Sequence, residues 1–143
     1  MNLTIRVVDP SLPVPQYQTG GSVAFDLMAR VTTKVQPWKP TVIPLNVVVK
    51  TPEGYMLLLV SRSSTPMRKG FMITNGVGII DQDYCGDKDE IGLQVLNFTG
   101  KPVMIEKGER IAQAILVKIV KAEKIKVVKT MNTKSRGGFG STG

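Results

Sequence analysis

Short runs of Val, Ile, Leu and Met recur along the chain, separated by Pro and Gly, and that texture predicts strands. "LTIRVV" (3–8) reads as a first strand and "DPSLPVP" (9–15) as a rigid loop. "SVAFDLMARV" (22–31) and "TVIPLNVVVK" (41–50) read as strands, with Pro44 confining its part to an edge or a bulge. "YMLLLVSR" (55–62) is apolar on both faces, the pattern of a central strand. "GFMIT", "VGIID", "IGLQVLN" and "PVMIEKGERIAQAILVKIV" continue the series. One place invites a helix, "SSTPMRKG": Ser64 caps it, Pro66 suits its first turn and Gly70 ends it. In "KIVKAEKIKVVK" (118–129) the β-branched content and the alternation over 124–127 favour a strand, its lysines lining a solvated edge. The fold class expected is all-β, a barrel or a sandwich, with at most one short helix.

Composition narrows the picture. The chain of 143 residues fits one domain. Its apolar content of 42% excludes a wholly disordered chain. The formal net charge of +8 points to an anionic partner, with solubility alone as the plainer reading. There is one cysteine, Cys85, and no histidine, which excludes an internal disulfide framework, argues against a Cys/His zinc site and suits a reducing cytoplasm. The longest apolar run, "YMLLLV", is far short of the roughly 20 residues a membrane-spanning helix needs, so no membrane partner is expected. The only low-complexity segment is the glycine-rich end, "KSRGGFGSTG" (134–143), a flexible arm in isolation. The division expected is a β domain over 1–133 and an arm over 134–143.

Three stretches carry candidate chemistry. In "DQDYCGDKDE", Asp81, Asp83, Gly86, Asp87 and Asp89 fall near calcium-loop offsets. Cys85 and Gly92 fail at two ligand positions, so the acids fit a hairpin better, turned at Asn75-Gly76. Asp81 then ends an apolar run, where a partly desolvated carboxylate can act as general base; a turn-capping aspartate is the favoured reading of that stretch alone. "SRSSTP" offers Arg62, two hydroxyls and free backbone N–H groups, an anion cradle or a plain cap. No Walker-type phosphate loop occurs.

Together, "AFDLMA" (24–29), "SRSS" (61–64), "NGVGIIDQDYCG" (75–86), "KGERIAQAIL" (107–116) and "RGGFGSTG" (136–143) resemble, in order, the five motifs of the trimeric deoxyuridine triphosphatases, the dUTPases. The resemblance implies a distorted jelly-roll or β-barrel fold and a homotrimer whose sites are shared between chains. It implies hydrolysis of dUTP to dUMP and pyrophosphate with Mg²⁺, limiting dUTP and supplying dUMP for thymidylate synthesis. It places the chain in the cytoplasm, or in the host cytoplasm for a viral chain.

The resemblance also implies roles. Asp81 would deprotonate the water that attacks the α-phosphorus. Asn75 and the turn backbone at Gly78 and Ile80 would read uracil. Tyr84 would pack under the deoxyribose and exclude a 2′-hydroxyl. Arg62, Ser63, Ser64 and Gln113 would hold phosphates. Asp26 would support them through Arg62 or a metal-bound water, Mg²⁺ being held mainly by the phosphates of the substrate. Phe139 would stack on the base, while Arg136, Gly140, Ser141 and Thr142 would close over the γ-phosphate. Ordering ten residues costs about 1–2 kcal/mol each, which a bound nucleotide can offset and the arm itself cannot.

Three departures stand out. Ala24-Phe25 replaces the usual Gly-Tyr before Asp26, the loop after Tyr84 is a few residues longer, and Arg136 lies nearer Phe139 than usual, with Lys134 at the common position. Other readings are a nucleotide-responsive regulatory protein on the same fold, a dCTP deaminase, and RNA binding through "RGGFG". A single RGG unit argues against nucleic acid as partner.

Overall fold

The protein is described by a computed structural model that covers residues 2–138 and residue 140. Within the described residues, eleven strands and one short helix follow in order: β1 Thr4–Val7, β2 Phe25–Met28, β3 Thr33–Val35, β4 Thr41–Pro44, β5 Val47–Lys50, β6 Tyr55–Ser61, α1 Thr65–Lys69, β7 Phe71–Ile73, β8 Gly78–Ile80, β9 Gly92–Asn97, β10 Val103–Ile105 and β11 Arg110–Lys118. They form four antiparallel sheets, β1-β5, β10-β3, β2-β11-β6-β8 and β4-β9-β7. This is the distorted jelly roll expected, with one helix.

The period-2 pattern decides which face each strand buries. Leu57 and Leu59 of β6, Val47 and Val49 of β5, and Leu93 and Val95 of β9 point inward at 0–2% exposure. Each contributes about 1.5–3 kcal/mol by leaving water. β6 is central as predicted, between β11 and β8. β4 is an edge strand, and Pro44 is its last residue, where a missing N–H is tolerated.

The helix forms where the sequence places it. Pro66 sits in its first turn and Gly70 ends it at φ 70°, its N–H donating to the Pro66 carbonyl at 3.0 Å. Ser64 occupies the cap position, but its side chain makes no capping bond. Its φ and ψ of −86° and −10° are already helical, unlike the β-region backbone from which a capping side chain usually reaches its N–H groups.

Two expectations about strands are corrected. Asn75-Gly76 does turn the chain, with Gly76 at φ 71° and the Val77 N–H bonded to the Asn75 carbonyl at 2.8 Å. The turn does not close a paired hairpin, however: β7 pairs with β9, and β8 pairs with β6. It hands the chain from one sheet to another. The segment 118–129 is not a strand beyond Lys118, where β11 ends. Val120, Ile125 and Val127 are 97%, 89% and 90% exposed. Alternation without a neighbouring strand to receive its hydrogen bonds does not make a ladder. β3, in turn, is too short to show a pattern, with Val35 its one buried residue.

Candidate active site

The antiparallel pair β6–β8 sets the site's dimensions. Ile80 lies opposite Leu57, and Gly78 lies opposite Leu59. Gly78 is buried, and a side chain there would meet Leu59 Cβ at 3.0 Å. Asp81 therefore leaves β8 beside the start of β6, where Gln82 Nε2 donates to the Tyr55 carbonyl at 2.8 Å. Arg62 follows the other end of β6. From Met56 to Arg62 the strand climbs on the order of 20 Å at about 3.4 Å per residue. Two clusters thus occupy opposite ends of one strand.

The Arg62 end is built around a buried carboxylate. Asp26 of β2 is 7% exposed and opposite Gln113 of β11. Its Oδ1 meets Arg62 Nε at 3.0 Å and its Oδ2 meets Arg110 NH1 at 3.2 Å. Arg110 NH1 also donates to Gln18 Oε1 at 2.9 Å. Gln113 Nε2 donates to the Ser61 carbonyl at 2.9 Å and so fixes the strand just before Arg62. An open cleft of about 250 Å³ lies here, lined by Arg62, Ser64, Arg68, Lys69, Glu109 and Arg110 among others. Lys69 is paired with Glu109 at 2.6 Å. Arg62 has donors to spare after its bonds to Asp26 and the Arg110 carbonyl, since a guanidinium carries five. Ser63 stands exposed beside it. Four cations around one cleft, with one buried and one partly exposed acid among them, make an anion receptor.

The Asp81 end is more open. Asp81 lines a shallow depression of about 350 Å³ with Gln82, Asp83 and Lys121. Within the single chain Asp81 is exposed, not desolvated, because the strand-end loop carries it past the apolar run. Gln82 clasps this region: its amide donates to the Pro52 and Tyr55 carbonyls, and its oxygen accepts from Lys121 Nζ at 3.2 Å. Tyr84 is 42% exposed, and its hydroxyl donates to the Glu90 carbonyl at 3.2 Å. Asn75 and the turn backbone stand exposed, and Ile80 is half-buried against the core.

The acidic loop after Tyr84 is engaged internally. Asp89 Oδ2 accepts the Gly86 N–H at 2.7 Å. Glu90 Oε1 accepts from Arg30 Nε at 2.7 Å and from the Asn46 N–H at 2.9 Å. The Glu90 carboxylate raises the Arg30 pKa above its ordinary value by hydrogen bonding. Asn46 links this pair to Asp9, whose N–H donates to Asn46 Oδ1 at 2.6 Å; Lys107 Nζ lies 2.6 Å from Asp9 Oδ2 and, with Ser11, holds that carboxyl well below the usual range.

The donor set offers Mg²⁺ little. Among the described residues, no group of three or more Asp, Glu, Cys or His side chains converges as a metal cage. Asp26, the one buried acid at the phosphate-type cleft, gives each oxygen to an arginine. Of the two ways Asp26 was expected to act, the bond to Arg62 is present.

Arg136 and Gly140 are exposed, and Phe139, Ser141 and Thr142 lie outside the described residues. The sequence reading did not single out Arg110, Gln18, Lys121 or the Arg30–Glu90 pair. Arg110 lies inside a quoted motif, but a register shift between Arg110 and Ala112 takes it out of step with the alternation of β11.

The dUTPase family model matches residues 11–143. The chain is 34% identical to the deoxyuridine 5'-triphosphate nucleotidohydrolase of Hydrogenobaculum sp. (strain Y04AAS1), over 100% of this chain and 99% of that one. It is 35% identical to the protein of that name from Dictyoglomus turgidum, again over 100% and 99%. Among solved structures it resembles the dUTPase of Staphylococcus bacteriophage 80alpha with dUPNHPP, at a TM-score of 0.84 and 27% identity, over 99% of this chain and 98% of that one. It also resembles the dUTPase of Streptococcus mutans, at a TM-score of 0.77 and 26% identity, over 84% and 98%.

Proposed function

The chain belongs to the dUTPase family, the enzymes that hydrolyse dUTP to dUMP, and on that premise we propose that three copies assemble so that the Asp81 end of one protomer faces the Arg62 end of another across a single nucleotide. The observation that carries this reading is the placement of the two clusters at opposite ends of β6, on the order of 20 Å apart. A triphosphate is far shorter than that. One chain by itself therefore does not bring Asp81 and the phosphate receptor to the same triphosphate. A closed ring of identical copies can do so, because every protomer then offers both halves to different neighbours.

Within such a site, Asp81 accepts the proton of the water that attacks the α-phosphorus, and pyrophosphate leaves. Packing against the partner removes Asp81 from bulk water, which is where the desolvation missing from the single chain arises. Arg62, Ser63, Ser64 and Gln113 hold the phosphates, with Asp26 aiming Arg62 through its Oδ1. Arg110 shares that duty through Oδ2. Phosphoryl substitution needs positioning and charge neutralisation more than covalent help, and this cluster supplies both. The described residues of one chain form no metal cage, and Mg²⁺ would be held mainly by the substrate's own phosphates, whose charge it would neutralise.

Asn75 and the backbone from Gly76 to Ile80 read the uracil edge. Gly76 lies in the left-handed region with open space about it, so the backbone itself can approach the base. A site built on such hydrogen bonds rejects a ligand that leaves its polar groups unpaired by up to about 10⁴–10⁵-fold. Tyr84 packs under the deoxyribose. Residues 134–143 form an arm that closes over the bound nucleotide, Phe139 on the base and Arg136, Gly140, Ser141 and Thr142 at the γ-phosphate.

Mixing two inactive proteins tests the reading. Asp81→Asn and Arg62→Ala are each expected to lack turnover. Unfolded together in equal amounts and refolded, they should regain activity at about one site in four, the share of a random three-membered ring that pairs an intact Asp81 with an intact Arg62. A mixture as dead as its parents would sink the shared site. Hydrolysis of dTTP, UTP and dCTP at the rate of dUTP, or ammonia release from dCTP, would sink the substrate assignment.

A further inference from the structure

The loop from Tyr84 to Glu90 closes on itself through a side chain, and its closing point is anchored more firmly than the loop around it. The Tyr84 hydroxyl donates to the Glu90 carbonyl at 3.2 Å. Glu90 is held from its own side chain, whose Oε1 accepts from Arg30 Nε at 2.7 Å and from the Asn46 N–H at 2.9 Å, with the carboxylate only 18% exposed. The next residue, Ile91, is fully buried, its N–H donating to the Val47 carbonyl at 2.9 Å and its carbonyl accepting from the Leu45 N–H at 2.8 Å. The carbonyl that receives the tyrosine thus stands on the rigid core side of the loop. The intervening residues are fastened too: Asp89 caps the Gly86 N–H, and Arg6 NH1 donates to the Asp87 carbonyl at 3.1 Å.

We propose that Glu90, braced by Arg30 and Asn46, is a positioning residue for sugar specificity: it holds the Tyr84 ring at one height beneath the sugar, so that a 2′-hydroxyl has no room. The inference rests on the reading that Tyr84 lies under the deoxyribose. It gives the acids of this longer loop a task other than metal binding. An aromatic wall discriminates one hydroxyl only if it cannot retreat, and an exposed tyrosine with a free hydroxyl can swing about its χ1. The bond to the Glu90 carbonyl removes that freedom, and the Arg30–Glu90 pair keeps the carbonyl from moving with it. Such charge-assisted bonds are the strong ones among side-chain contacts.

The test measures kcat/KM for dUTP and for UTP on the full-length protein and on Tyr84→Ala, Tyr84→Phe, Glu90→Ala and the double variant Tyr84→Phe/Glu90→Ala. Glu90→Gln, which keeps an acceptor for Asn46 and removes the charge facing Arg30, takes the place of Glu90→Ala where that protein does not fold. The expected result is a dUTP-over-UTP preference lowered about fivefold in Tyr84→Phe and to a similar extent in the Glu90 variant, with the double variant no worse than either single one. A merely structural role for Glu90 would lower both rates together and leave the ratio alone. A ratio that collapses in Tyr84→Ala but stays intact in Tyr84→Phe and in the Glu90 variant overturns the brace and leaves Tyr84 as the sugar's floor. A ratio unchanged even in Tyr84→Ala overturns the placement of Tyr84 together with the brace.

Discussion

Asp26 Oδ1 lies 3.0 Å from Arg62 Nε, and that contact is made inside the protein, with the carboxylate side chain 9% exposed and the guanidinium 33%. An aspartate so placed fixes the direction of the arginine and depends on it for its own stability. Asp26→Asn is expected to lower unfolding free energy by about 2 kcal/mol. That is less than the about 3–5 kcal/mol of a fully buried broken pair, because Arg62 and Arg110 can both return to water. Urea unfolding of the variant measures it, with the midpoint falling at unchanged slope.

Asp81→Asn should keep the fold and nucleotide binding and lose the chemistry. Loss of a general base costs typically 10²–10⁴-fold in kcat, with KM changing little. Steady-state hydrolysis beside calorimetric binding of a non-hydrolysable dUTP analogue separates the two effects. Wild-type turnover in the variant would remove Asp81 from the mechanism.

Gly70 ends the helix at φ 70°, and a Cβ there would overlap Thr99 Cγ2. Gly70→Ala therefore meets both backbone strain and a clash, and a loss of about 2 kcal/mol or more is expected. Thr99→Ser removes the offending methyl and leaves the backbone strain. The double variant should recover part of the loss in thermal or urea unfolding, and no recovery would mean that the φ angle carries the whole cost.

Acid should weaken the clasp between Asp9 and Lys107. The folded-state pKa of Asp9 lies below its ordinary 3.8, so the unfolded chain takes up a proton that the native one refuses. The stability this contributes is full above pH 3.8 and is lost as pH falls toward the folded value. Asp9→Asn should therefore flatten the fall of melting temperature on the acid side of 3.8 and cost stability at neutral pH.

Deleting residues 134–143 should leave a folded assembly whose turnover is nearly gone and whose melting temperature is unchanged. Among the described residues every strand ends by Lys118 and residues 120–138 are exposed, outside the buried core. Analytical ultracentrifugation and hydrolysis assays on the truncated chain decide this, and full activity would remove the arm from catalysis.

The strands were legible where alternation and punctuation agreed. Leu57 and Leu59, two apart in an apolar run, announce a buried strand, and Pro44 announces an edge. Asn75-Gly76 announces a backbone able to take positive φ, and the turn is there. It says nothing of which strand lies alongside, and so a hairpin was expected where the chain changes sheets. The lysine-rich stretch after Lys118 carries a strand's rhythm without a neighbour to complete it. At the candidate site the residues within the quoted motifs were legible, Arg62 and Asp26 above all. Their meeting was legible only through the family likeness, since 36 positions of chain separate them. Arg110 stayed hidden because the bulge at its strand's start displaces it from the face that its spacing implies. The Arg30–Glu90 pair was hidden for a simpler reason: charges in loops look solvated until a partner 60 residues away is seen.

The length of β6 also has a genetic corollary. If its two ends serve different sites, as proposed, a copy defective at one end silences one site and still serves another, while a copy defective at both ends silences two. An allele defective at both ends, expressed equally beside the intact one, should therefore leave about one site in four active rather than one in two, and a peptide that caps either end of the strand should poison the whole ring.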